Sequence, residues 1–198
     1  MKLSRIALGL ITLTAPIWAQ RQELAFTLGS TANDLKTALN VRTTSGKALQ
    51  VNYGYRAWSN DAVAVSGEIH FLANPQRLVT GASFLTRDFA SLYVTPGVRV
   101  KLNPKGLLQP YGVIGGGYAL YEQSTTTLSG ATNPAPRHLT RGAFQYGVGL
   151  DIKAASWLAL RGEVRDFYTG VPALNLASLR GGAHNVVASG GFVFRFGK

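Results

Sequence analysis

The ionisable residues of this chain are few on the acidic side: 9 Asp/Glu and 3 His stand against 20 Lys/Arg in 198 residues. Glu68 and Glu163 each fall six residues into an alternating segment, counted from Ala62 and Trp157. Two carboxylates at one level are what general acid–base catalysis uses. Arg161 and Arg165, however, flank Glu163 on its own parity, and charges withdrawn from water need partners. The expectation is an interior ion-pair network of Glu68, Glu163, Arg161 and Arg165, structural or gating rather than catalytic. A second pair, Glu23 and Arg195, lies near the ends of the first and last segments, where strands must meet if a sheet closes on itself.

The histidines suggest a competing chemistry. An acyl hydrolase working on a lipid face needs a histidine, a hydroxyl nucleophile and an orienting carboxylate. His138 and Thr140 share a face and Glu122 ends the preceding segment, but no serine stands at that position. His70 and His184 fall toward the same rim without an evident triad. Three scattered histidines and no cysteine give no metal-ligand spacing. The sequence therefore predicts no catalytic residue, no metal site and no cofactor. The lack of cysteine also leaves packing or lipid, not disulfides, to stabilise the fold.

Eight segments of period two position these groups. They are residues 23–29, 48–58, 62–72, 91–102, 107–122, 138–152, 157–168 and 184–196. In the second, Leu49, Val51, Tyr53 and Tyr55 oppose Gln50, Asn52, Gly54 and Arg56. In the fourth, Leu92, Val94, Val98 and Val100 oppose Tyr93, Thr95, Arg99 and Lys101; in the sixth, Asp151 falls on the polar parity with Arg141 and Gln145. The fifth, rich in glycine, reads least clearly. Short turns (59–61, 103–106, 153–156) alternate with longer loops (30–47, 73–90, 123–137, 169–183), the pattern of an up-and-down meander with periplasmic turns and extracellular loops. The fold class expected is all-β: an eight-stranded antiparallel up-and-down transmembrane β-barrel. A soluble barrel of lipocalin type shares period and strand number, but would have to turn the terminal phenylalanines into its cavity.

The last segment carries the membrane reading furthest. Val186, Ala188, Gly190, Phe192, Phe194 and Phe196 share one parity, and Asn185, Ser189, Gly191 and Arg195 the other. At the opposite end, Lys2 and Arg5 precede an apolar run, and Ala19 a polar residue. As a helix, Ile6–Ala19 would reach about 21 Å, short of the roughly 30 Å of a bilayer core. Residues 1–19 are thus expected to be a cleavable signal peptide, and 20–198 one barrel domain. The formal charge is +11, yet the arginines are dispersed and no basic run suggests nucleic acid. Arg42, Lys47, Arg77, Arg87, Arg137 and Arg180 make the loop side basic, which suits either lipopolysaccharide phosphates or ordinary solvated loop charges.

The whole mature segment resembles the small outer-membrane β-barrel proteins of the OmpA and OmpX type, in Leu108-Gln109-Pro110-Tyr111, in Gly115-Gly116-Gly117-Tyr118 and in the terminal strand. Arg161 to Tyr168 (RGEVRDFY) is similar to a phrase of acidobacterial members. Ser189, Gly191, Phe194 and Phe196 resemble the carboxy-terminal insertion signal of such barrels, although Gly197 and Lys198 follow where the pattern usually ends. The resemblance implies location in the outer membrane, an inner ion-pair cluster proposed to gate small conductance, and contacts with the barrel-insertion machinery, periplasmic chaperones, membrane lipids and lipopolysaccharide. A monomer is expected. The function expected is structural and non-enzymatic, with envelope stabilisation, adhesion or narrow ion passage as its forms. The alternatives are a lipid-modifying enzyme of lipid A deacylase or acyltransferase type and a soluble periplasmic ligand-binding barrel.

Overall fold

The computed structural model describes residues 22–33, 41–176 and 181–197. The expected signal peptide, 1–19, lies outside them. Among the described residues there are eight long strands, β1 (Gln22–Asn33), β3 (Gly46–Ser59), β4 (Val63–Thr80), β5 (Asp88–Leu102), β6 (Leu108–Gln123), β7 (His138–Lys153), β8 (Leu158–Gly170) and β9 (Gly182–Phe196), and a two-residue strand β2 (Arg42–Thr43). Each long strand pairs antiparallel with its sequence neighbour, β4 with β5 included, and β1 pairs with β9, so the sheet has no free long edge. The result is a closed eight-stranded antiparallel β-barrel, and β2 extends β4 at one rim.

Period two decides which side each residue faces. The apolar parity is exposed along the wall, as at Leu28, Val51, Val98, Ile114, Val148, Val164 and Phe192, the face a membrane barrel turns to lipid. Trp58, Trp157 and Phe196 mark its short-turn end, and Phe71, Tyr118, Phe144, Tyr146 and Tyr168 its upper part, in keeping with aromatic girdles at the two interfaces. The terminal strand follows its parity: Val186, Phe192 and Phe196 face out, while Asn185, Val187 and Val193 are buried. Phe194 packs against Phe26 and stacks on Trp157, with ring centroids 6.3 Å apart in each pair.

Two of the short turns owe their shape to asparagine. The Asn60 side chain accepts from the backbone N–H groups of Ala62 and Val63 at 2.9 and 2.7 Å, the local bonding that favours Asn in turns. Asn103 adopts φ 48° and accepts from Gly106 N–H. These two turns are tied by an ion pair between Lys105 and Asp61. Lys105 holds the Asp61 carboxyl below the usual carboxylate range. A depressed carboxyl pairs above its unfolded pKa and releases as pH falls through its folded one. NMR titration should therefore place the Asp61 midpoint below that of a free aspartate, and Lys105→Met should return it to the ordinary value.

The strands run further at the long-loop end than the alternation suggests. β4 continues to Thr80 through a bulge between Asn74 and Arg77. A bulge inserts an unpaired residue and shifts side-chain parity, which ends the readable alternation at Leu72 while the strand goes on. Arg77, expected as a loop cation, is instead only 1% exposed. It donates to Asn185, Thr43 and the Thr44 carbonyl, and its guanidinium lies 5.6 Å from the Phe89 ring. It belongs to the barrel interior.

Candidate functional site

The polar parities of seven strands converge inside the barrel to form two tiers of charge. In the upper tier Arg165 joins both expected carboxylates: Nη1 donates to Glu68 at 2.6 Å and Nε to Glu163 at 2.9 Å. Tyr111 O–H also donates to Glu163, at 2.7 Å, and Arg165 reaches Gln145 Oε1 at 3.1 Å. Arg161 does not join this tier. It turns downward to Asp151, with contacts of 2.8 and 2.9 Å, because adjacent strand β7 places Asp151 directly opposite it.

The lower tier centres on Glu23. Arg99 and Lys101 contact it at 2.7 and 2.9 Å, and Arg195 at 3.3 Å. Glu23 and Arg195 are also opposite one another in the β1–β9 ladder. Lys101 bridges to Asp151 at 2.8 Å, and Arg99 reaches up to Glu68 at 3.6 Å, so the tiers are joined. The Tyr111 ring is flanked by Arg99 and Arg161, at 5.5 and 4.8 Å. All four carboxylates are buried. Asp151, Arg99, Lys101 and Tyr111 are the members that sequence reasoning missed as partners. The first three stood on polar parities, but which cation meets which carboxylate depends on cross-barrel register.

Above the charges the interior changes character. Phe167 packs on Tyr93 and His70, with centroids 5.3 and 5.5 Å apart, and Tyr121 packs on Tyr93 and Phe89. Leu72, Leu85 and Leu174 complete a buried cluster. Leu85 and Leu174 come from the loops, which close over the mouth. The Gln123 side-chain oxygen accepts from Thr86 O–H and Leu174 N–H, and its amide donates to the Pro136 carbonyl. The long loop 123–137 is thus cross-linked to the 81–87 loop, with a Thr86–Thr127 bridge.

The remaining candidates are dispersed. His70 is buried in the interior, not at the rim, and bonds Gln50 at 2.9 Å. His138 is exposed 3.9 Å from Glu122, whose carboxylate is already engaged by Arg137 at 2.7 Å. His184 Nδ1 meets Asp166 at 2.6 Å on the outer face. Among the described residues no group of three or more His, Cys, Asp or Glu is placed to hold a metal. Of the rim cations, Arg42, Lys47, Arg87 and Arg137 are exposed; Arg180 lies outside the described residues. At the terminal strand, Ser189 O–H points to Glu163 at 3.5 Å. Gly191 lies so close to β1 that a Cβ there would fall 2.0 Å from the Phe26 carbonyl oxygen.

Residues 6–196 match the family model described as the outer membrane protein beta-barrel domain. No curated protein matches the sequence. Several solved structures are similar. Neisserial surface protein A is 14% identical, covering 89% of this chain and 97% of its own, with a TM-score of 0.57. Ail of Yersinia pestis, solved with the heparin analogue sucrose octasulfate, is 14% identical over 89% of this chain and 99% of its own, TM-score 0.51. The amino-terminal β-barrel domain of Pseudomonas aeruginosa OprF is 12% identical over 90% and 100%, TM-score 0.51. At these identities the likeness is one of fold.

Proposed function

Because this chain belongs to the outer membrane protein β-barrel domain family and its place is the outer membrane, we propose that it serves there as a closed, non-enzymatic structural barrel whose basic rim engages anionic groups of the envelope surface. The observation that carries this reading is the filled interior: two tiers of paired charge below, and a layer of Tyr93, Phe167, Leu72 and Phe89 above. Eight strands enclose just enough space for side chains to fill, and the side chains packed across this layer, with the buried Arg77 cation bonded to Asn185 among them, oppose ion passage. In planar bilayers the purified protein should give no discrete conductance steps. Steps that grow with salt would replace this reading with the narrow ion passage.

The partner chemistry of the rim is phosphate or sulfate. Arg42, Lys47, Arg87 and Arg137 are exposed at the loop end, with Arg137 paired to Glu122 and Arg87 near Asp88, and a cation near an anionic membrane surface contributes about 1 kcal/mol. Changing all four to glutamine should weaken retention on lipopolysaccharide-containing vesicles by about 1 kcal/mol per charge removed, with heat-dependent gel mobility unchanged. Equal retention of the variant would rule out the rim. Ail was crystallised with a heparin analogue, which makes a sulfated polysaccharide the natural second probe in the same assay. Insertion machinery and periplasmic chaperones are the proposed assembly partners, and the barrel is proposed to be a monomer. The lipid-modifying alternative is less well supported, since within the described residues His184 and His138 face carboxylates rather than a nucleophilic hydroxyl.

A further inference from the structure

An acidic residue interrupts the apolar parity of β8. Asp166 lies on the outward side of β8, between Val164 and Tyr168, yet its side chain is only 12% exposed. One carboxylate oxygen accepts from Tyr146 O–H at 2.7 Å and from His184 Nδ1 at 2.6 Å. Tyr146 and Asp166 are opposite each other on β7 and β8, as are Tyr168 and His184 on β8 and β9, and the Tyr168 ring lies 5.0 Å from the imidazole. Ionisable groups facing hydrocarbon are costly and mark function by default. Beside this cluster a groove of about 510 Å³ crosses the outer wall from β5 to β8, with Ile114, Tyr146 and Asp166 in its upper row and Val100, Val148 and Val164, hollowed at Gly112, in the next row toward the short turns. Its size is that of a small-ligand site.

We propose that Tyr146, Asp166 and His184, with the adjoining groove, form a lipid-binding site that takes one acyl chain of an outer-leaflet lipid and hydrogen-bonds its ester linkage. A carboxylate on an apolar face needs a charge partner, and His184 is the basic group in contact with it. In its protonated form the imidazole donates through Nδ1 to Asp166 and carries a second N–H at Nε2, a donor suited to an ester carbonyl. The cluster sits at the level of the tyrosine girdle, where aromatic side chains meet the polar part of the lipid, and the groove leads from there toward the hydrocarbon. The site rests on the outer-membrane location alone and is independent of what the rim binds.

The test uses the full barrel in dodecyl maltoside, a detergent without an ester, with 15N-labelled histidine. It is titrated with dihexanoyl phosphatidylcholine and separately with its ether-linked dihexyl analogue. The expected result is a saturable displacement of the His184 ring signals by the ester lipid, absent with the ether lipid, and lost in Val164→Trp, which fills the groove. Val148→Trp serves the same purpose if the first variant does not fold. Equal response to both lipids, a response without saturation, or one that survives the filled groove would each overturn the proposal.

Discussion

Replacing Arg165 with methionine should cost about 3–5 kcal/mol of barrel stability, the penalty of breaking a buried ion pair and leaving its partner uncompensated. Arg165 is 1% exposed and serves Glu68 and Glu163 at once. Without it Glu163 keeps Tyr111, and among the described residues Glu68 keeps the 3.6 Å contact to Arg99 as its ion pair. Urea unfolding in phosphatidylcholine vesicles, followed by tryptophan fluorescence, reads the loss. The triple variant Arg165→Met, Glu68→Gln, Glu163→Gln should recover a large part of it, because no net charge is then stranded. If the single variant unfolds within about 1 kcal/mol of the parent, the value of an exposed pair, the tier is not a strut.

The second large effect concerns one hydrogen atom. Gly191→Ala introduces a methyl 2.0 Å from the Phe26 carbonyl oxygen and 2.7 Å from the Thr27 Cα, both backbone atoms of β1. No rotamer relieves such a contact, so the β1–β9 seam must part. The cost should exceed the roughly 1–3 kcal/mol of an overpacked core, and the heat-resistant compact gel form should disappear. Gly190→Ala is the control: its nearest neighbour is the Arg161 carbonyl oxygen at 3.6 Å, an ordinary contact. The neighbouring variant should fold like the parent. Equal behaviour of the two would mean that the seam is looser than the strand spacing implies.

The architecture was legible because it depends on a local rule, the alternation of side chains along a strand. From Gln50 and Asn52 through Arg99 and Lys101 to Glu163 and Arg165, the inward set could be named from one sequence. Partnering was not legible. Arg161 stood two residues from Glu163, which suggested a shared tier, but the register with β7 sets it opposite Asp151. The bulge at Asn74 hid Arg77 in what read as a loop, since parity is lost where two residues face one. One signal was readable and went unused: Asp166 is an acidic residue on the greasy parity of β8, between Val164 and Tyr168. Its partners Tyr146 and His184 come from both flanking strands and become visible only with register.

Glu23 on the first strand meets Arg56 of neighbouring β3 at 3.9 Å, but its closer cations come from β5 and β9 and, at 3.8 Å, from Arg161 on β8. An intermediate with its later strands still unzipped would leave this carboxylate with the 3.9 Å contact to Arg56 on one flank and surplus guanidinium groups on the other. Each half is therefore a poor resting state, and completion removes both penalties together. The hub thus couples the first strand to the last ones: its charge is fully paired when the sheet is closed.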